Sequence, residues 1–152
     1  MTQIFHISLE SPQCGWMALA VCGGGAEVRY GAARAPYDSL GDLLRGLKAL
    51  LEGQTVLTVK WNAEPEEYDW HFTVDGEQIM LAVNYFPDHR RAADESREVF
   101  VHALPLKDLC RAVADETREL QARAERDVFA SNWQRPFPAP ELEELSAALA
   151  RA

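Results

Sequence analysis

Two runs of alternating side chains meet at Asp75-Gly76, and this junction constrains the fold more than any other stretch of the chain. In the first run the large residues Tyr68, Trp70, Phe72 and Val74 take every second position, and Glu67, Asp69, His71 and Thr73 take the positions between. Successive side chains of a strand point to opposite faces, so this spacing predicts one face in a core and the other in water. The second run, Glu77 to Phe86, follows at once. Asp-Gly between two such runs suits a two-residue type I′ turn, which predicts an antiparallel hairpin with Asp75-Gly76 as its connection.

The rest of the chain is read around that hairpin. Ile4 to Leu9 alternates, with Phe5, Ile7 and Leu9 on one face. Gly15 to Cys22 and Ala26 to Ala33 flank a run of three glycines and predict a second hairpin. That glycine run lacks the Lys-Ser/Thr and the helix start of a phosphate cradle. After Pro36, Ser39 and Asp42 resemble a capping box. Leu40, Leu43, Leu44, Leu47, Leu50 and Leu51 then form a helical stripe that Gly53 ends.

Further strands are expected over Thr55 to Trp61 and Glu98 to Leu104, with Asp88 to Arg97 between strands as a mobile surface loop. Pro105 suits the first turn of a long amphipathic helix carrying Leu106, Leu109, Cys110, Val113, Thr117, Leu120 and Ala124. Prolines 136, 138 and 140 delay the last helix to Glu141, and Trp133 and Phe137 are expected to pin the tail. Antiparallel strands with segregated helices predict one α+β domain over residues 1–152. Its expected form is an antiparallel sheet of about six or seven strands, one helix after the third strand and two helices toward the C-terminus.

The cysteines Cys14, Cys22 and Cys110 are odd in number and lack metal-ligand spacing, which points to a reducing cytoplasm rather than a disulfide framework. Met1 to Glu10 has no basic and long apolar pattern of a secretion signal. The longest apolar stretch, Trp16 to Cys22, falls well short of the roughly 20 residues that a membrane span needs. A net charge of −9, from 24 acidic and 15 basic residues, repels a phosphate backbone and argues against nucleic acid as a direct partner. The same charge favours encounter with a basic protein.

Catalytic signatures are absent from the pattern. Glu67, Asp69 and His71 share a strand face, but side chains roughly 7 Å apart do not readily surround one cation, so no metal or cofactor is expected. His6, His89 and His102, and Ser8, Ser11 and Ser96, stand in no nucleophile or base motif. Glu64-Pro65-Glu66-Glu67 beside Trp61, Tyr68 and Trp70 combines negative charge with aromatic anchors, as protein-binding surfaces do, although strand spacing also places those aromatics in a core.

The segment W-N-A-E-P-E-E-Y-D-W, Trp61 to Trp70, resembles one found in short bacterial proteins of unassigned function. These pair a leucine-rich first helix, here Leu40 to Leu51, with an E-P-x-E-Y-x-W strand entry and a Trp/Phe-Pro tail before a short helix. In size and acidity the chain is also similar to immunity proteins that neutralise toxins. The leading expectation is a non-enzymatic binding module that meets a basic partner through Glu64, Glu66, Glu67 and Asp69. Two alternatives stay open. One is a small-molecule binder or enzyme with a pocket lined by Trp61, Trp70, Tyr85 and Trp133 near His71 or His102; the other is a structural homodimer.

Overall fold

The computed structural model describes residues 4–152 and is α+β, with seven strands divided between two antiparallel sheets. β1 (His6–Leu9), β2 (Trp16–Gly23) and β3 (Ala26–Ala33) form a meander in that order. Helix α1 (Ser39–Leu51) follows. β4 (Val56–Asn62), β5 (Glu67–Asp75), β6 (Gln78–Phe86) and β7 (Arg97–Pro105) form a second meander. Helices α2 (Leu106–Ala124), α3 (Phe129–Trp133) and α4 (Ala139–Arg151) complete the chain. The single sheet expected from the sequence is thus two, and the C-terminal part carries a third, very short helix. No helix of the described residues is long and apolar enough to cross a membrane.

The β5–β6 hairpin forms with its turn one residue later than expected. Asp75 pairs with Gln78, so Gly76 and Glu77 are the central residues. Only Gly76, at φ 62°, is left-handed. A type II′ turn asks for positive φ at its first central position alone, where glycine accepts it without cost, whereas a type I′ turn on Asp75-Gly76 would force Asp75 there as well. The shift moves every cross-strand partner by two positions and so leaves the faces unchanged. Trp70 and Phe72 are buried, while His71 is exposed.

Leu43, Leu44 and Leu47 of α1 are fully buried, each burial worth about 1.5–3 kcal/mol. The helix lies against β4 and α4. Gly46 permits the close approach to β4, since a Cβ there would stand 2.5 Å from the Leu57 side chain. Ser39 does not cap this helix. Asp38 precedes the first turn, and the buried Ser39 hydroxyl donates instead to the Lys60 carbonyl, tying α1 to β4. Pro140 sits inside the first turn of α4, where its missing N–H costs nothing, so that helix begins earlier than Glu141.

Tyr30 of β3 joins the two sheets. Its ring stacks on Tyr68 of β5 at 3.9 Å, and its hydroxyl accepts a 2.9 Å hydrogen bond from Trp70 Nε1. Burial pushes the Tyr30 hydroxyl pKa well above its ordinary value. Because folding raises this pKa, the stability held in the neutral hydroxyl is complete below about pH 10 and lost as pH rises toward the folded value. Tyr30→Phe strands the Trp70 donor and should cost about 1–3 kcal/mol at neutral pH. In urea denaturation the gap between the two proteins should narrow above pH 10; a constant gap would contradict the assignment.

Candidate functional site

The four acidic residues singled out from the sequence fall into two environments. Glu67 and Asp69 lie on the outer face of β5, yet the loop expected to be mobile folds back over them. Arg91 Nε donates to Glu67 Oε1 at 2.9 Å, and its two terminal nitrogens donate to Asp69 Oδ2 at 2.9 Å and Oδ1 at 2.5 Å. Tyr37 adds a 2.9 Å hydrogen bond to the same Glu67 oxygen. The guanidinium lies 4.6 Å over the Phe86 ring. Side-chain exposures of 22% for Arg91, 7% for Glu67 and 15% for Asp69 make this an interior ion cluster rather than a free acidic face.

The chemistry of the clamp follows from that burial. The hydrogen bonds that Arg91 donates to Asp69, ahead of the one it donates to Glu67, hold its pKa above its ordinary value against the cost of desolvation. Burial and then the Glu67 carboxylate push the Tyr37 hydroxyl up. One guanidinium meets two carboxylates, so the cluster keeps an excess of one negative charge. His71, next on the same face, is engaged with the Thr58 hydroxyl at 2.8 Å. Among the described residues no group of acidic, histidine and cysteine side chains gathers as a metal site.

Glu64 and Glu66 stand at the tip of the β4–β5 connection. Neither carboxylate has an ion pair or hydrogen-bond partner among the described residues. The tip itself is firmly built. The Asn62 side chain accepts from the Glu64 amide at 3.0 Å and donates to the Ala35 carbonyl at 2.8 Å, while the Ala63 amide donates to the Glu66 carbonyl. Three further segments converge beside it. The Gly15 amide donates to the Asn132 carbonyl at 2.6 Å, the Arg34 amide to the Gly15 carbonyl, and Arg135 Nε to the Arg34 carbonyl.

These loops enclose a cleft of about 200 Å³ lined by Glu64, Cys14, Trp16, Arg34 and Gln134 among others. Trp16 is 41% exposed there, unlike Trp61, Trp70 and Trp133, which are buried. Five described non-glycine residues have left-handed backbone. Cys14, Glu64 and Gln134 line this cleft and Arg91 is the clamp, leaving only Val128 elsewhere. Such conformations cost about 1–3 kcal/mol each and collect where a fold is held for use.

Trp61, Tyr68 and Trp70 are core residues, so the aromatic anchors expected beside the glutamates are not at the surface; Trp16 is. Trp61 and Trp70 pack at 4.9 Å between ring centroids, filling the space the alternative reading kept for a ligand. His102 and Asp108 do line one cleft, of about 600 Å³. No hydrogen bond joins them. Asp108 pairs with Arg111 at 3.1 Å, and His102 stacks on Phe5. Ser11 donates to Asp127 at 2.6 Å, and Ser96 to the Ala93 carbonyl. Burial pushes the Cys110 thiol up to about 12, which makes it a poor nucleophile. No family model matches this chain, and neither does any curated protein or solved structure.

Arg91, Tyr37 and Trp16 carried no readable signal. The first two act 22 to 30 residues from their partners in sequence, and Trp16 belongs to an apolar run that reads as core.

Proposed function

We propose that the chain is a non-enzymatic protein-binding module whose partner brings a basic surface to the loop end bearing Glu64, Glu66 and Trp16. The observation that carries this reading is a pair of carboxylates without ion-pair or hydrogen-bond partners among the described residues, near an exposed tryptophan, on loops fixed by hydrogen bonds. An aromatic anchor supplies contact area, and neighbouring charge steers encounter and selects the partner. Rigid loops reduce the ordering cost of binding. Glu67 and Asp69 contribute from beneath through the excess charge of the Arg91 cluster. A role like that of an immunity protein, covering a basic site in the cytoplasm, accords with the acidity and with three free cysteines.

The purified chain should capture a stoichiometric basic protein from a native lysate at low ionic strength and release it as salt rises. Recovery of nothing at low salt would count against the reading. A second reading, self-association, is favoured by the open outer face of β4–β7, where Val56, Met80 and Val101 are exposed. Light scattering separates the two: the binding module is a monomer before its partner arrives, and a tight dimer that captures nothing is the structural homodimer.

A further inference from the structure

Two cross-strand rows on the outer face of the β4–β7 sheet carry no formal charge. The pairing sets Val56 beside Thr73, Met80 and Ala103 in one row, and Thr58 beside His71, Ala82 and Val101 in the next. Trp70, Phe72, Leu81 and Phe100 turn inward into the core, and side chains alternate along a strand, so these eight point outward. None of the eight is Asp, Glu, Lys or Arg in a chain with 26% charged residues, so nothing in the rows repels a second copy despite the net charge of −9. Val56, Met80 and Val101 are exposed there. Thr58 and His71 hydrogen bond each other at 2.8 Å, which leaves fewer polar groups for water. The solvent face of an antiparallel sheet is ordinarily polar, and a contiguous apolar patch with a polar rim marks a surface that another molecule covers.

The two ends of this patch carry opposite charge. At one end Lys60 follows Thr58 on the outer side of β4. Its cross-strand neighbour Asp69 gives both carboxylate oxygens to Arg91, whose loop stands over β5 there. At the other end Asp75 closes β5 at the Gly76 turn, opposite Gln78. Lys60 and Asp75 are both exposed, and neither has an ion-pair partner among the described residues.

We propose that a second copy of the chain covers this face, the two sheets stacking about a twofold axis that runs across the strands between the two rows. The inference rests on the self-association reading and gives it a geometry. Each row of one copy meets the other row of its partner. Met80 lies over the partner's Ala82, Val101 over the partner's Ala103 and His71 over the partner's Thr73, so larger side chains meet smaller ones. Lys60 of each copy comes to the Asp75 end of the other, which makes the charge at the two ends complementary. An axis along the strands would instead drive the two Arg91 loops together. Four strands by four rows give about 500 Å² on each copy, or about 1,000 Å² in all, below the roughly 1,200–2,000 Å² of a stable complex. The dimer is therefore weak and separates on dilution. Glu64, Glu66 and Trp16 lie outside the face, so pairing leaves the loop end open.

The test is sedimentation equilibrium of the whole chain from about 1 µM to 1 mM, a range in which wild type should pass from monomer to dimer. Met80→Glu/Val101→Glu, changed only at exposed positions, should weaken the dimer at least about tenfold, because it brings carboxylates into a covered apolar face. Lys60→Asp and Asp75→Lys should each weaken it about three- to tenfold, and the two together should restore it to within about twofold of wild type. Glu64→Lys/Glu66→Lys should pair as wild type does. A wild-type chain that stays monomeric throughout would overturn the proposal together with self-association. A dimer that survives Met80→Glu/Val101→Glu would leave self-association standing and overturn this face. Failure of the charge exchange to restore pairing would overturn the geometry.

Discussion

Arg91→Ala should lower the stability of the chain by about 3–5 kcal/mol, because it removes the one cation that, among the described residues, pairs with two carboxylates already withdrawn from water. Most of that loss is the penalty of Glu67 and Asp69 left buried together, rather than the worth of the ion pairs. A triple replacement, Arg91→Met with Glu67→Gln and Asp69→Asn, should therefore recover most of it, since no net charge is then buried. Amides of residues 88–96 should also exchange faster in Arg91→Ala, because Arg91 is what ties the loop to β5. Urea denaturation measures the first effect and hydrogen exchange the second. A loss under about 1 kcal/mol would mean that the cluster behaves as exposed pairs do.

Trp133→Ala should cost about 3–5 kcal/mol, as removal of a fully buried large aromatic does. The physical reason is local. α3 has five residues, too few for a helix to persist in water by itself, and left-handed residues bound it at Val128 and Gln134. Phe129 and Trp133, both buried, hold it in place, and Phe129 meets Phe137 edge-on at 5.2 Å between centroids. The same segment supplies the Asn132 carbonyl to Gly15 and leads into Arg135, which bonds the Arg34 carbonyl. Trp133→Ala should thus loosen the Cys14–Trp16 turn and raise exchange at the Gly15 amide, whereas Val128→Ala, at an exposed side chain, should do neither. Equal stabilities for the two variants would contradict this.

Much of the fold was legible because it is written in local periods. The alternation through Tyr68, Trp70 and Phe72 assigned β5 and its buried face, and the leucine spacing from Leu40 assigned α1. What periodicity does not encode is which strands share a sheet. Each strand reports its own two faces, and nothing in β3 or β4 announces that α1 separates one meander from the next. The turn register turned on a single residue, since Gly76 satisfies a II′ turn with Glu77 where Asp75-Gly76 would have needed two left-handed positions. Ser39 reads as a cap, but a carbonyl across the fold, on Lys60, took its hydroxyl.

The candidate site was legible in part. Charge density pointed to Glu64 through Asp69, and the chain there does divide acidic surface from core. Alternation could not show that Arg91 would cover Glu67 and Asp69, because that contact crosses a loop without period. Nor could it show that Trp16, within an apolar strand, would be left half in water while Trp61 and Trp70 filled the core. Trp61 did so with its Nε1 unpartnered among the described residues, where Trp70 found Tyr30. In each case the deciding contact lies far away in sequence.

A basic partner is proposed to bind at the loop end bearing Glu64, Glu66 and Trp16. The most direct measurement is the affinity of the captured partner, by titration calorimetry, for the wild-type chain, for Glu64→Lys/Glu66→Lys, and for Glu143→Lys on the exposed face of α4 as a charge control. The loop-end variant should bind at least about tenfold more weakly and with a shallower salt dependence, with the control close to wild type. Equal weakening by all charge reversals, or none at the loop end, would contradict the account.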